Sequence, residues 1–468
     1  MQLTSPTFLF LFLPLSLPLV LLIPPRHRRL SLSLLSLLFL TVVNRGNLTG
    51  LIHILLLVCF GTVTAYLPTP RSIRAARWRA TLSVVVPLLA FLAARLLCEY
   101  AGTLYAYPTG LLFVTLGVIS YAIDRARGDV LCPRNPLELM GYFVFFPTLA
   151  LGPLLCSKQY FDLTEEIAFS PTLFTAGIRN YMLGYVKCLA VAAVAMRAIT
   201  DILTRSALFF HPVSLLLLLL FSYLVFYFFV TGAADMARGI CAMYGISLPE
   251  QGLGRLHSAA PHARMQAVLP SLRSYLLDYV YSPLRHRFGR PAGKLFCALA
   301  LPLLTVLIWR TRPEMLLFAS PILLCAGLSL IPGAKRFFAP RNALLRLLSA
   351  LGGGLLCSAF TLATVLEKPM DIFSLTAAAV AGSRGDFLPH AVFGAMQDTP
   401  YLVVLGIALL LILPYAYLRP LWLRRASERA RTVTELTETV LLFAAFLLCV
   451  LYFLPQFPLL AEVGYYRM

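Results

Sequence analysis

Pro212-Val213-Ser214-Leu215-Leu216-Leu217-Leu218-Leu219-Leu220-Phe221-Ser222-Tyr223-Leu224-Val225-Phe226-Tyr227-Phe228-Phe229-Val230-Thr231 runs for 20 residues without a charge. As a helix it covers about 30 Å, the thickness of a bilayer's hydrocarbon core. Comparable runs recur over 8–24, 30–43, 50–67, 80–98, 104–122, 138–156, 172–196, 294–309, 314–331, 344–365, 399–418 and 434–454. The chain has 468 residues, 59% hydrophobic and only 13% charged, and no soluble domain fits between the runs. The expectation is one all-α polytopic membrane domain over 1–468, with about 11–13 transmembrane helices. The 30–43 run is short, and a run near 233–254 is interrupted by Gly, Pro and charge. Either is a candidate for a re-entrant or broken segment, tolerated where protein or water covers the backbone.

The formal net charge is +19. Its arginines cluster in alternate loops, at 26–29, 71–79, 125–134, 197–205, 335–341 and 419–431. Glu99, Asp162, Glu165, Glu166, Glu367, Asp371 and Asp386 fall in the others. This is the positive-inside pattern, and it excludes a nucleic-acid reader as the reason for the charge. It places the N-terminus outside the cytoplasm and makes 252–294 the longest polar interruption on the cytoplasmic side. The apolar run at Phe8 to Ile23 precedes its charges, the reverse of a secretory signal, and reads as a retained first span. Ten scattered cysteines have no CxxC or metal-ligand spacing and read as small buried hydrophobes. Few polar groups inside the spans, and no inverted repeat, speak against a transporter.

Charged residues at span ends are the candidates for chemistry. Asp124 and Asp235 end apolar spans, and Asp278 lies in a semi-apolar helix; such carboxylates pair with arginine or line water. For Asp124 the expected partner is Arg125 or Arg127. Pro147, Pro153 and Pro283 break helices where a funnel would need to open.

Four stretches carry a resemblance. They are Ser5 to Pro14; Ile119-Ser120-Tyr121-Ala122-Ile123-Asp124 with Arg127-Gly128; Phe145-Phe146-Pro147-Thr148-Leu149 with Gly152-Pro153; and Ser271-Leu272 through Asp278-Tyr279-Val280-Tyr281-Ser282-Pro283-Leu284. A weaker fifth is Ala234-Asp235-Met236-Ala237 with Gly245 to Pro249-Glu250. In this order they resemble the membrane-bound O-acyltransferase (MBOAT) family, in the branch of alginate O-acetylase and the teichoic acid D-alanine transferase. The motif-bearing part is about 105–330. The resemblance implies O-acylation, most simply O-acetylation, of a cell-surface or exported polysaccharide. The donor would be acetyl-CoA or an acyl carrier, and the site a bacterial cytoplasmic membrane. It also implies membrane lipid, and a second acyltransferase or a polymer synthase subunit, as partners. The implied substrate tunnel takes in Ser271, Asp235, Asp278, Tyr281, Pro283 and Trp309. No metal is implied.

The same resemblance places a catalytic histidine after Trp309, where this chain has Arg310 in Leu307-Ile308-Trp309-Arg310-Thr311. A guanidinium does not give up its proton at neutral pH and cannot serve as the base. A second histidine box expected before Ser271 is replaced by Met265-Gln266-Ala267-Val268-Leu269-Pro270. His257, His262 and His286 flank the last motif and are the available substitutes; His27, His53, His211 and His390 read as interfacial, packed or loop residues. Two functions follow: an O-acyltransferase with a reorganised site, or an inactive scaffold or polymer- or lipid-handling subunit of an envelope assembly.

Overall fold

The computed structural model describes residues 3–68, 72–100, 105–149, 152–205, 212–249, 261–268, 270–289, 296, 314–328, 343–366, 368–382 and 427–453. Among them there is no strand. Leu48–Tyr66, Ile73–Cys98, Pro212–Met243, Leu348–Val365 and Val433–Leu451 are long and apolar enough to cross a membrane, and Phe8–Leu21, Glu314–Leu328 and Asp371–Val380 are shorter apolar helices. The chain is an all-α polytopic membrane protein. The expected runs at 294–309 and 399–418 lie outside the described residues, apart from Phe296.

A π-helical turn, Phe8–Phe12, leads into α1 (Leu13–Leu21), followed by α2 (Pro25–Val43), α3 (Leu48–Tyr66), α4 (Ile73–Tyr100) and α5 (Leu111–Arg127). The 30–43 run is therefore no partial segment. Pro25 at the first turn extends it backwards through Arg26 to Arg29, giving a helix of 19 residues. Arg28 secures this end by donating to the carbonyls of Leu21, Ile23 and Ile167. At the opposite end of α2, Asn44 pairs with the backbone of Thr109, and Asn47 donates to Ala106 while capping α3. Tyr66, at the far end of α3, donates to Pro133. The bundle thus has a basic side, marked by Arg28, Arg29 and Pro133, and an opposite side, marked by Asn44 and Thr109.

The 138–156 run does not cross. It starts on the basic side as α6 (Pro136–Phe143), breaks at Val144, turns through α7 (Phe146–Leu149), and returns as extended chain over 152–156 to α8 (Ser157–Leu163). A Cβ on Gly110, at the start of α5, would lie 2.6 Å from Leu149. Ser157 has meanwhile come back to Asp124, near the other end of α5. The turn therefore reaches about 20 Å down α5 before reversing. Extended backbone at this depth needs partners inside the protein. Ser36 accepts from the Phe146 amide, Ser120 from the Ser157 amide, and Tyr142 donates to the Leu155 carbonyl. This hairpin is a re-entrant segment in addition to the break within 233–254.

The hairpin also re-sorts the loops. Arg29 donates to the Thr164 carbonyl and pairs with Glu138, so Asp162, Glu165 and Glu166 lie on the basic side and not in the opposite set. α9 (Pro171–Val186) then leaves from the basic side, continues through a π turn, Lys187–Ala193, and ends in α10 (Val194–Arg205). Arg205 falls on the opposite side.

α11 (Pro212–Met243) runs back against α9, and the two approach unusually closely. Gly177 faces Gly239 and Gly184 faces Gly232, each pair spaced by seven, so backbones rather than side chains meet. Such small-residue contacts hold helices together in lipid, where apolar side chains gain little by leaving the bilayer. The interruption expected near 233–254 comes at its glycine and not at its charge. Asp235 is paired inside the bundle and the helix runs past it to Met243, just before Gly245, whose φ of +88° suits glycine.

α12 (Pro261–Val268), α13 (Pro270–Leu276), a π turn, Leu277–Tyr281, and α14 (Ser282–Phe288) form a stepped helix punctuated by Pro261, Pro270 and Pro283. This stretch is no solvated loop. Arg264 is buried and donates to Ala350, and Tyr275 donates to Leu116. α12 packs on α15 (Glu314–Leu328) and α16 (Ala343–Val365), while α17 (Asp371–Gly382) flanks α11. The C-terminal α18 (Glu428–Phe453) lies along α9 through an Arg179–Glu438 ion pair and a Tyr185–Phe446 ring contact of 4.9 Å.

Candidate functional site

Two of the motif stretches, and Ser157 just beyond a third, converge on one buried carboxylate. The last turn of α5 points Asp124 into the bundle, where it is 4% exposed. Its Oδ2 accepts from Ser157 Oγ at 2.5 Å and from the Tyr279 hydroxyl at 2.7 Å. Tyr279 OH and Ser120 Oγ lie 2.8 Å apart, and Ser120 takes the Ser157 amide at 2.9 Å. Each position follows from local structure: Ser120 and Asp124 share a face of α5 at i,i+4, Ser157 opens α8, and the π turn aims Tyr279 back at α5.

The expected pairing of Asp124 with Arg125 or Arg127 is not what forms. Arg125 donates to the Tyr121 hydroxyl, and Arg127 donates to the Asp278 carbonyl while its guanidinium lies 5.5 Å from the centre of the Tyr279 ring. Hydroxyls satisfy a buried carboxylate without drawing a second charge out of water, which is the costly part of a buried ion pair. The Asp278 side chain is exposed; partial desolvation raises its carboxyl above the ordinary range, with Asp124 adding and Arg127 opposing. A small pocket lies between α5 and the hairpin, lined by Gly117, Tyr142, Phe143, Thr148, Leu155 and Tyr160 among others.

The knot carries a direct test. Tyr279→Phe removes one hydroxyl from a charged acceptor and is expected to cost about 1.5–3 kcal/mol. Thermal unfolding of the purified protein in detergent reads this as a lowered midpoint. An unchanged midpoint would mean that Tyr279 does not hold Asp124.

A second cluster lies deep in the bundle. Lys187 Nζ is 2.5 Å from Asp235 Oδ2, and Arg238 Nη1 is 3.6 Å from Asp235 Oδ1. Both side chains of the closer pair are about a tenth exposed. Lys187 opens the π turn between α9 and α10, a local irregularity that often marks functional positions.

Asp235 and Asp278, both expected in one tunnel, thus belong to separate clusters. Ser271 and Tyr281 are half-buried, Pro283 and His286 are exposed, and His262 is half-buried in α12. His257, Trp309 and Arg310 lie outside the described residues. Lys187, Ser157 and Ser120 were missed as site residues. Lys187 had a signal, being with Arg179 one of two charges inside the 172–196 run, where an opposite charge makes such a residue tolerable. Ser157 had none, because its role depends on the hairpin's return. Among the described residues no group of three His, Cys, Asp or Glu side chains could hold a metal ion.

No family profile matches the chain. The chain is 29% identical over 181 residues to the probable alginate O-acetylase AlgI of Pseudomonas putida, a stretch covering 37% of this chain and 36% of that protein. The corresponding protein of Pseudomonas aeruginosa gives 29% over 182 residues, covering 37% and 33%. That of Pseudomonas syringae pv. tomato gives 28% over 194 residues, covering 40% and 35%. The chain matches about a third of the length of each of these relatives. With the ordered motifs, these partial matches support an MBOAT-like family for this integral membrane protein.

Proposed function

We propose that this chain takes part in O-acylation of a cell-surface or exported polysaccharide, with acetyl as the group transferred. The observation that carries the reading is the convergence of two motif stretches, about 155 residues apart, with Ser157 from the return of a re-entrant hairpin, on the Asp124 knot. Partial identity to probable alginate O-acetylases supports the same class of reaction. On this reading the basic side is cytoplasmic and takes an acyl donor such as acetyl-CoA or an acyl carrier. The N-terminus is outside, the membrane is the bacterial inner membrane, and a polymer synthase or second acyltransferase supplies the setting. Asp124 is a positioning residue: it fixes the hairpin's return to α5 and α8.

The test is the acetyl content of surface polysaccharide in cells lacking the chain and in cells complemented with it. Loss of ester-linked acetyl on deletion, restored by the wild-type chain, supports the reading. An unchanged content overturns it.

A second reading, an inactive scaffold, is favoured by Arg310 at the position where the resemblance places a histidine. On that reading acetyl content falls on deletion but Arg310→Ala restores it as fully as wild type, and pull-downs recover an active acyltransferase.

A further inference from the structure

The side opposite Arg28 and Arg29 carries a polar and aromatic ledge that the Asp124 knot does not use. Residues 105–110 are strapped to the α2–α3 turn through Asn44 and Asn47. The Tyr105 hydroxyl and His53 Nδ1 lie 2.9 Å apart, with the two half-buried rings 6.1 Å centre to centre. Beside them the Arg95 guanidinium stacks 4.0 Å over the Tyr107 ring. The strap ends at Gly110, which touches Leu149 at the tip of the re-entrant hairpin. The ledge therefore sits directly over the point where the hairpin reaches furthest from the basic side.

Tyrosines near a bilayer surface often serve only as interfacial anchors, with the ring in the lipid headgroups. Here the Tyr105 hydroxyl is held by an imidazole and one face of the Tyr107 ring by a guanidinium, which fixes their orientations and leaves the Tyr105 ring as the main open face. Rigid tyrosines offer a flat contact surface at little entropy cost. His53 Nδ1 is taken by Tyr105 and most of the Asn47 amide by Ala106, Thr49 and Gly50, which leaves His53 Nε2 and one N–H of Asn47 for a ligand. Flat aromatic faces beside amide and imidazole groups complement a sugar ring, which presents C–H faces and a rim of hydroxyls.

We propose that this ledge, centred on His53, Tyr105 and Tyr107, binds the acceptor polysaccharide on the side opposite the acyl donor. The assignment of the bound sugar as acceptor rests on the O-acylation reading; the binding itself does not. The test is calorimetric titration of the full chain in lipid nanodiscs with an alginate oligosaccharide and, as a neutral probe, a cellulose oligosaccharide. At least one probe is expected to bind. His53→Ala and Tyr105→Ala should each weaken binding about tenfold or more, Tyr105→Phe by a smaller factor since it keeps the ring, and Arg285→Ala, on the exposed surface of α14, not at all. Tyr105→Phe guards against a loss that merely reports misfolding. Binding of neither probe, or binding unchanged in the His53 and Tyr105 variants, overturns the proposal and leaves the ledge a membrane anchor. Binding without any acetyl transfer in cells would leave the ledge standing and remove the O-acylation reading instead.

Discussion

Asp235→Ala is expected to be among the most damaging single changes in the chain, abolishing accumulation of folded protein or lowering its unfolding midpoint by many degrees. Lys187 and Arg238 both face this carboxylate. Removing it leaves Lys187 buried beside the close crossing of α9 and α11 without the partner at 2.5 Å. Stripping one member from a buried pair costs about 3–5 kcal/mol in water-soluble proteins. In a bilayer the separated helices also keep their charges from water, which reduces the net loss. The expected cost is therefore at the lower end, about 3 kcal/mol. The double variant Lys187→Met with Asp235→Leu should recover much of it, because apolar side chains of similar size remove both charges together. Equal destabilisation in the single and double variants, read by thermal unfolding in detergent, would show that the pair does not act as a unit.

Gly184→Ala is the second. A Cβ there would clash with the Gly232 carbonyl oxygen and meet the Met236 amide nitrogen at 2.6 Å. Both are backbone atoms of α11, so no rotamer change relieves the clash and the helices must move apart. Overpacking typically costs about 1–3 kcal/mol, and this site belongs at the top of that range. Parting the helices also stretches the Lys187–Asp235 pair three residues further on. Gly352→Ala in α16 is the control, since nothing lies within 4 Å of its added Cβ. It should be neutral or stabilising by up to about 1 kcal/mol, as glycine is a poor helix former. Comparable losses from both would mean that helix propensity, not the close crossing, governs the result.

These two sites show what the sequence could and could not convey. The class of fold was legible from hydropathy, because a bilayer imposes one length and one polarity on whatever crosses it. Hydropathy does not distinguish a crossing from a return, however. The 138–156 run carries no charge after Glu138 whether it traverses or turns back, and only the contacts of Leu149 with Gly110 and Ser157 with Asp124 decide. That single misreading moved Asp162, Glu165 and Glu166 to the wrong side. Near 233–254 the glycine marks the break and the charge does not: Asp235 stays inside the helix because Lys187, 48 residues earlier, pairs with it. Asp124 was identified as important but paired with its sequence neighbours, since nothing local announces that Ser157 and Tyr279 arrive from distant segments.

The measurement that bears most directly on O-acylation is ester-linked acetyl on purified surface polysaccharide from deletion cells carrying wild-type or Asp124→Asn protein, with the membrane level of each protein matched. Asp124→Asn weakens the charge that holds Ser157 and Tyr279, so the hairpin's return to α5 loosens. The wild-type chain is predicted to restore acetylation and Asp124→Asn to restore a small fraction of it, about a tenth or less. Full acetylation in the deletion cells, or equal restoration by the two proteins at equal abundance, would contradict the account.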